Sequence, residues 1–397
     1  MNYKELEKIC EKRICIWGYG VYGKVYAYLP LKCAGSKIAY YCDNNYRPNE
    51  SYHQVPLIPK EKLFANTDVF VFVAMKSVEQ QRRVIDELRS KGIDCAVFDQ
   101  SSLSELCESI VESNDMIVRK KYADIVDDEK FLCFIYEFKM GKKLNLKNPN
   151  TFNEKLQWLK LYDRKEIYTR LVDKYEVKKV VSNIIGEAHI IPTIGSWDSV
   201  DKIDFDALPE KFVLKCTHDS GSTVICSDKS SLSISDTKAK LDKAMRINYY
   251  WVSREFPYKN ICPRIIAEPF VFNKDGTELV DYKLMCFNGR VHCSFTCTDR
   301  NNGKGLKVTW YDREWSEMPF IRHYPKSSVP IPRPKHYYEM IEAAEKLSQG
   351  ISFVRIDFYE DENTFYFGEM TFFPGAGMEE FSPEKWDNAL GKLICIP

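Results

Sequence analysis

The sequence predicts two folds in succession: an N-terminal α/β domain with a parallel sheet, then a larger α+β domain of mostly antiparallel strands. Three stretches carry that reading. Residues 13–43 run strand, Gly18-x-Gly20-x-x-Gly23 turn, helix, strand and a closing Asp43, the order of a βαβ unit. Residues 212–309 hold several short runs of apolar and β-branched residues separated by polar turns, as antiparallel strands are. Residues 353–377, FVRIDFYEDENTFYFGEMTFFPGAG, read as a hairpin followed by a glycine-rich turn.

A chain of 397 residues is long for one domain. The 57 basic and 57 acidic residues cancel, so no overall basic footprint for nucleic acid exists. The 14 cysteines lie within strand and helix patterns and form no Cys-x-x-Cys pair. They read as small buried hydrophobes in a reducing compartment. No apolar run approaches the ~18 residues of a membrane span, and the first residues show no leader pattern. The expectation is a cytoplasmic protein without a membrane span.

In the first domain, strands are expected at Arg13–Trp17, Ile38–Cys42, Val69–Val73 and Cys95–Phe98, with helices at about 21–31 and 77–91. Glycines at 18, 20 and 23 let a backbone approach phosphate, and Asp43 can take a ribose hydroxyl. The same glycines also suit a packing turn in a docking domain. The unit ends near residue 110 and resembles the short Rossmann-like modules attached to many bacterial sugar-modifying enzymes. Residues 111–150 read as linker and helical connection, and 151–397 as the second domain.

Thr151-x-x-Glu154 is a capping box opening a helix whose face, with Leu156, Trp158, Leu159 and Leu161, reads as core. A helix over Ile167–Ile185 follows and stops at Gly186; it carries Lys174. Phe212–Thr217 is a strand with Lys215, and Ser220-Gly221-Ser222 turns it into a return strand, Thr223–Cys226. Such a turn can offer N–H groups and hydroxyls to phosphate, with Lys215 as a point charge. It is equally an ordinary tight turn. His218 stands beside it as a further candidate for phosphate contact. Strands over 265–271 and 281–287 carry Glu268 and then Asp281 and Lys283. Residues 292–309 alternate as a strand around a polar turn, and 299–303 form a loop suited to an acceptor. A proline-rich connection leads to a helix over 334–347.

In the hairpin, Phe353–Tyr359 and Thr364–Met370 are the strands and 361–363 the turn. Successive strand residues face opposite sides, so Arg355 and Asp357 share a face, as do Glu369 and Thr371. The turn brings Asp357 to the level of residues 367–369. Two carboxylates in an apolar hairpin need positive charge beside them. Mg²⁺ supplies it with phosphate oxygens completing the shell; Arg355 or a nearby lysine supplies it without a metal.

Arg355-Ile356-Asp357, the hairpin, Glu369-Met370-Thr371 and the Pro374-Gly375 turn resemble the metal-binding end of ATP-grasp ligases. The closer likeness is to the TupA-like branch of teichuronopeptide and surface-polysaccharide synthesis, with TFNEKLQWLKLYD (151–163) as a hallmark. The resemblance runs from about residue 116 to the C-terminus. It implies an ATP-grasp fold with ATP and Mg²⁺ as cofactors. It further implies Lys174 and Lys215 on the phosphates, Ser220, Gly221 and Ser222 as the clamp, and Glu268, Phe270 and Val271 at adenine. Asp281 falls at the ribose, Lys283 at phosphate or substrate, and Asp357, Glu369 and Thr371 at metal. Arg355 and the Gly375 N–H would face the tetrahedral intermediate, with Lys215 as a further catalytic residue. Thr371 stands where most of the superfamily has Asn, although the TupA-like branch shares the threonine. The implied reaction joins a uronate carboxylate, on a sugar nucleotide or glycan, to a small amine through an acyl phosphate. A sugar kinase, or a non-catalytic ATP-binding component docked on glycan assembly proteins, are the alternatives.

Overall fold

The structure is a computed structural model that describes residues 9, 11–20, 22–28, 31, 36–66, 68–75, 77–98, 128–271, 279–298 and 305–396. The first part of the expected connection, up to residue 127, and the acceptor loop at 299–303 lie outside these residues. The chain divides into two compact units, Met1–Phe134 and Ile135–Pro397. Among the described residues no helix is long and apolar enough to cross a membrane.

The first unit is built on a six-stranded sheet in the order β3-β4-β2-β1-β5-β6. Its strands are β1 (Arg13–Trp17), β2 (Lys37–Cys42), β3 (Ser51–Tyr52), β4 (Val55–Ile58), β5 (Val69–Val73) and β6 (Cys95–Val97). All neighbours pair in parallel except the short β3–β4 hairpin. Ile14 to Trp17 are all fully buried, so β1 reads as a continuous apolar run, as a central parallel strand must. The helix Val78–Ser90 starts on the Ser77 cap and lays Val84 and Leu88 on the sheet. After β1 the chain forms a π-helix, Tyr22–Ala27, where an α-helix over 21–31 is expected; residue 21 is outside the described set.

The second unit holds two larger antiparallel sheets and a two-stranded one. One has the order β7-β10-β8-β9, from β7 (Gly195–Trp197), β8 (Phe212–Cys216), β9 (Val224–Cys226) and β10 (Ile265–Pro269). Phe212, Leu214, Ile265 and Ala267 pack it against Leu241 of the helix Ile234–Met245. The other has the order β13-β12-β11-β15-β16, from β11 (Asp281–Phe287), β12 (Arg290–Thr298), β13 (Lys307–Asp312), β15 (Phe353–Glu360) and β16 (Phe365–Thr371). Its far side is covered by the helix Tyr337–Leu347, whose Tyr337, Met340, Ile341 and Ala344 recur at helical spacing and are buried. The proline-rich connection contributes one short strand, β14 (Ile321–Arg322), paired with β17 (Phe381–Ser382).

The single helix expected over Ile167–Ile185 is two, Ile167–Val172 and Glu176–Ile185. Asp173 causes the break. Its Oδ1 accepts the N–H groups of Tyr175 (2.8 Å) and Glu176 (3.1 Å), so it caps the second helix as aspartate does at a start. Lys174 sits at this corner, with its N–H bound to the Thr217 carbonyl at 3.0 Å.

Candidate active site

A cavity of about 750 Å³ opens between the two sheets of the second unit, lined from β8 and β10 on one side and β11, β12, β13, β15 and β16 on the other. The hairpin sets the acidic wall. Asp357 pairs directly with Glu369, and Arg355 with Thr371. The register shifts just after Asp357, and Gly368 sits at that bulge. A Cβ on Gly368 would lie 2.9 Å from the Tyr359 ring and 3.1 Å from the Asp357 carbonyl, so a side chain at the bulge would have to displace both.

The guanidinium of Arg355 spans both carboxylates. Nε donates to Asp357 Oδ1 (2.7 Å), and Nη2 donates to Asp357 Oδ2 (2.7 Å) and Glu369 Oε1 (2.8 Å). Lys283, opposite Asp357 on β11, contacts Asp357 Oδ2 and reaches Asp281 Oδ2 at 2.6 Å. Burial pushes Asp357 up to about 6, against the pull of Arg355 and Lys283. Burial pushes Glu369 up too, but Arg355, Lys174, Lys283 and Lys215 together hold it at about 2. The bidentate guanidinium is geometrically the strongest partner present, so the ion-paired form is the one we assign near neutral pH. Thr371 Oγ1 donates to Glu369 Oε1 at 3.3 Å; its hydroxyl orients that carboxylate.

A divalent cation fits these residues. Asp357 and Glu369 are cross-strand neighbours, and Asp281 Oδ1 is buried with no hydrogen-bond partner among the described residues. Two carboxylates with phosphate oxygens and water are the usual set for Mg²⁺. Among the described residues no group of three or more His, Cys, Asp or Glu is placed to hold a metal ion by itself, so phosphate oxygens and water would complete the shell.

The basic wall faces this one. Glu268, 4 % exposed, is clasped by Lys178 (2.6 Å to Oε1) and Lys215 (2.7 Å to Oε2). Burial raises its pKa and the two lysines more than offset that, leaving it lowered. Lys174 Nζ donates to the Asp219 carbonyl. Ser220 and Gly221 line the cavity, as do Phe270 and Val271. Gly221 has φ of 102°, a conformation that favours glycine. Ser222 turns the other way: its Oγ accepts from Cys216 N (2.9 Å) and donates to Asp219 Oδ1 (2.7 Å), pinning the loop. His218 is also buried, with Nε2 3.2 Å from the Ala244 carbonyl, and it does not line the cavity. Burial lowers its pKa. The sequence reading that placed His218 near phosphate is therefore corrected.

The turn after β16 closes the site. Gly375, Ala376 and Gly377 have φ of 58°, 54° and 62°, a strained run for the alanine. It is held from behind. Gln157 Nε2 donates to Ala376 O (3.1 Å) and Gly377 O (2.8 Å), Lys160 Nζ to Ala376 O (2.8 Å), and Asn153 Nδ2 to Glu379 O (2.8 Å). Arg322 Nη2 holds Pro374 O at 2.9 Å. N–H and C=O oppose each other across a trans peptide, so anchoring the Pro374 carbonyl on Arg322 turns the Gly375 N–H away from that side chain.

Asn153, Gln157 and Lys160 are fully buried at spacing i, i+4, i+7 on the helix Phe152–Tyr162. The sequence reading took that face as apolar core. Three polar residues on the same stripe as Phe152 and Leu156 were the available signal. Burial pushes Lys160 down to about 8, partly countered by Glu255. Replacing Lys160 with Met leaves the Ala376 carbonyl short of a donor. It is expected to cost about 1–3 kcal/mol in urea unfolding and to lower turnover without weakening nucleotide affinity. Lys178, Arg322 and Glu379 were likewise not singled out as site residues.

In the first unit the glycine turn closes on itself. A Cβ on Gly23 would lie 1.7 Å from the Gly18 carbonyl, and one on Gly18 2.3 Å from the Ala74 carbonyl, whereas Gly20 meets nothing within 4 Å. Asp43 Oδ2 accepts from Tyr19 N (2.7 Å) and Oδ1 from Asn45 N (2.8 Å), so both oxygens serve backbone donors. Asp43→Ala is expected to destabilise this unit by about 1–2 kcal/mol, read by thermal unfolding, with Mg·ATP affinity unaltered.

Residues 154–395 match the family described as TupA-like ATPgrasp, and the chain belongs to that family. The fold is accordingly that of ATP-grasp proteins. No curated protein matches the chain. Among solved structures it is similar to the D-alanine–D-alanine ligase of Bacillus anthracis (15% identity, 96% of this chain and 92% of that one, TM-score 0.31). It is also similar to the ATP-grasp ligase PsnB complexed with minimal precursor (10%, 91% and 90%, TM-score 0.29). A third is the N5-carboxyaminoimidazole ribonucleotide synthetase of Thermus thermophilus (10%, 90% and 71%, TM-score 0.29).

Proposed function

We propose that the protein is an ATP-dependent carboxylate–amine ligase that forms an amide on a uronic acid, carried by a sugar nucleotide or glycan, during surface or capsular polysaccharide synthesis. The observation that carries the reading is the Asp357–Arg355–Glu369 cluster on the wall of the cavity that Lys174 and Lys215 also line. Family membership supports the ATP-dependent part; the uronate and the small amine rest on the family's association with surface glycans.

In this reading Lys174, Lys215 and Lys283 bind phosphate oxygens, and Ser220 and Gly221 cover them. Phe270 and Val271 receive adenine, with Glu268 at its amine and Asp281 at the ribose. Asp357 and Glu369 would hold Mg²⁺, which offsets phosphate charge when bound. Arg355 and the Gly375 N–H stabilise the oxygens of the tetrahedral intermediate. The substrate carboxylate takes the γ-phosphoryl group, and the amine then displaces phosphate. The partners are small molecules, with glycan assembly proteins as docking partners in the cytoplasm, and no nucleic acid is involved. For the first unit, the occupied oxygens of Asp43 support a packing and docking role over a nucleotide-sugar site.

Incubation with Mg·ATP, UDP-glucuronate and pooled amines tests the proposal. ADP together with an amide is the expected result. Hydroxylamine separates this from a sugar kinase, since only an acyl phosphate yields a hydroxamate. No ADP and no amide across a broad panel of uronates and amines contradicts it.

A further inference from the structure

Six carboxylates line the cavity: Asp219, Glu268, Asp281, Asp357, Glu369 and Glu379. Five have close polar partners. Asp219 accepts from Ser222, Glu268 lies between two lysines, Asp281 and Asp357 share Lys283, and Arg355 joins Asp357 to Glu369. Glu379 differs. Among the described residues its one ion-pair partner is Arg322, whose Nη1 stands 3.3 Å from Oε2.

Glu379 is nevertheless held in place. Its carbonyl accepts from Asn153 Nδ2 at 2.8 Å. Its carboxylate rests against Gly375: a Cβ there would lie 2.1 Å from Cδ and 2.3 and 2.5 Å from the two oxygens. Arg322, 3 % exposed, is itself fixed between the rings of Phe152 and Phe381 and on the Pro374 carbonyl. A carboxylate is thus built onto the turn that flanks the reacting centre, with one oxygen left to take a partner.

We propose that Glu379 is the subsite for the incoming nucleophile and that the group it takes is a primary ammonium. This rests on the ligase reading and adds the charge of the acceptor to it. An alcohol brings no positive charge and gains a single hydrogen bond from this residue without the ion pair, so the subsite favours an amine over a hydroxyl. The ammonium gives one proton to Glu379, and the freed lone pair forms the C–N bond at the acyl carbon. The C–O bond to the phosphate oxygen breaks, and phosphate leaves with that electron pair. Phosphate takes the second proton from nitrogen, and Glu379 returns its proton to solvent.

The test uses the full chain with Mg·ATP, UDP-glucuronate and two nucleophiles, ethanolamine, charged near neutral pH, and hydroxylamine, uncharged there. In Glu379→Gln the ratio of kcat/KM for ethanolamine to that for hydroxylamine is expected to fall about 10- to 100-fold, the range of one charge-assisted hydrogen bond. The ethanolamine KM carries the change, and Glu379→Asp restores part of it. On the native chain trimethylammonium, which cannot form a stable amide, is expected to compete with ethanolamine. An unchanged ratio, or no competition by trimethylammonium, overturns the subsite while native hydroxamate formation upholds the ligase. Absence of hydroxamate from the native chain across uronates removes the ligase reading, and the subsite with it.

Discussion

Arg355→Met is expected to be the most damaging single change in the second unit. The guanidinium is the only group that touches both Asp357 and Glu369 among the described residues. Removing one partner of a buried ionic cluster leaves charge uncompensated, at about 3–5 kcal/mol. Asp357 is 1 % exposed and would keep only Lys283; Glu369 opens to the cavity and is partly screened by solvent, which places the estimate at the lower end. Turnover is expected to fall about 100- to 1000-fold, the scale of losing one donor to a developing oxyanion. Urea unfolding reads the first effect and ADP release the second. A variant as stable and as active as the native chain would remove Arg355 from both roles.

Asp357→Asn is expected to shift the balance from stability toward function. The amide keeps the shape of the side chain and removes a charge that burial already disfavours. Arg355 retains Glu369, and Lys283 retains Asp281, but the amide nitrogen replaces an oxygen that accepts from Arg355 or Lys283, so the stability cost is about 1–3 kcal/mol. Activity does not survive as well. A carboxylate that would hold Mg²⁺ is gone, and the Mg-dependent share of ATP affinity is expected to drop more than about 100-fold, beyond the usual loss of an outer-shell partner. Titrating nucleotide with and without Mg²⁺ checks this. Equal Mg dependence in variant and native chain contradicts the metal assignment. The two variants separate the structural part of the cluster from the chemical part, because Arg355→Met costs more in folding and Asp357→Asn is the one that acts through Mg²⁺.

The sequence made the hairpin legible because each of its signals is local. Strand alternation, an Asp-Glu-Asn turn and carboxylates at fixed offsets place Asp357 near the level of residues 367–369 without knowledge of the rest, and the bulge at Gly368 then pairs it with Glu369. Lys215 was legible for the same reason, on a strand entering a Ser-Gly turn. What was not legible depends on contacts far apart in the chain. The hold of Lys178 and Lys215 on Glu268 joins a helix to two strands. The grip of Gln157 and Lys160 on Ala376 spans more than 200 residues. Thr151-x-x-Glu154 announced the helix that carries them and both arms of the capping box are present, but the periodicity could not tell a polar stripe that binds carbonyls from one that faces water. Asp173 shows the reverse case. Its side chain breaks a helix that apolar spacing alone would continue, because capping by a short carboxylate outweighs propensity at one position.

The central claim is that a triphosphate with Mg²⁺ lies between the lysines of one sheet and the acidic pair of the other. Equilibrium titration of the full chain with ATP, with and without Mg²⁺, tests it most directly. Saturable binding that strengthens with Mg²⁺ and is lost in Lys215→Met is the result predicted. A folded chain with no affinity for ATP, or with affinity indifferent to both Mg²⁺ and Lys215, would contradict it.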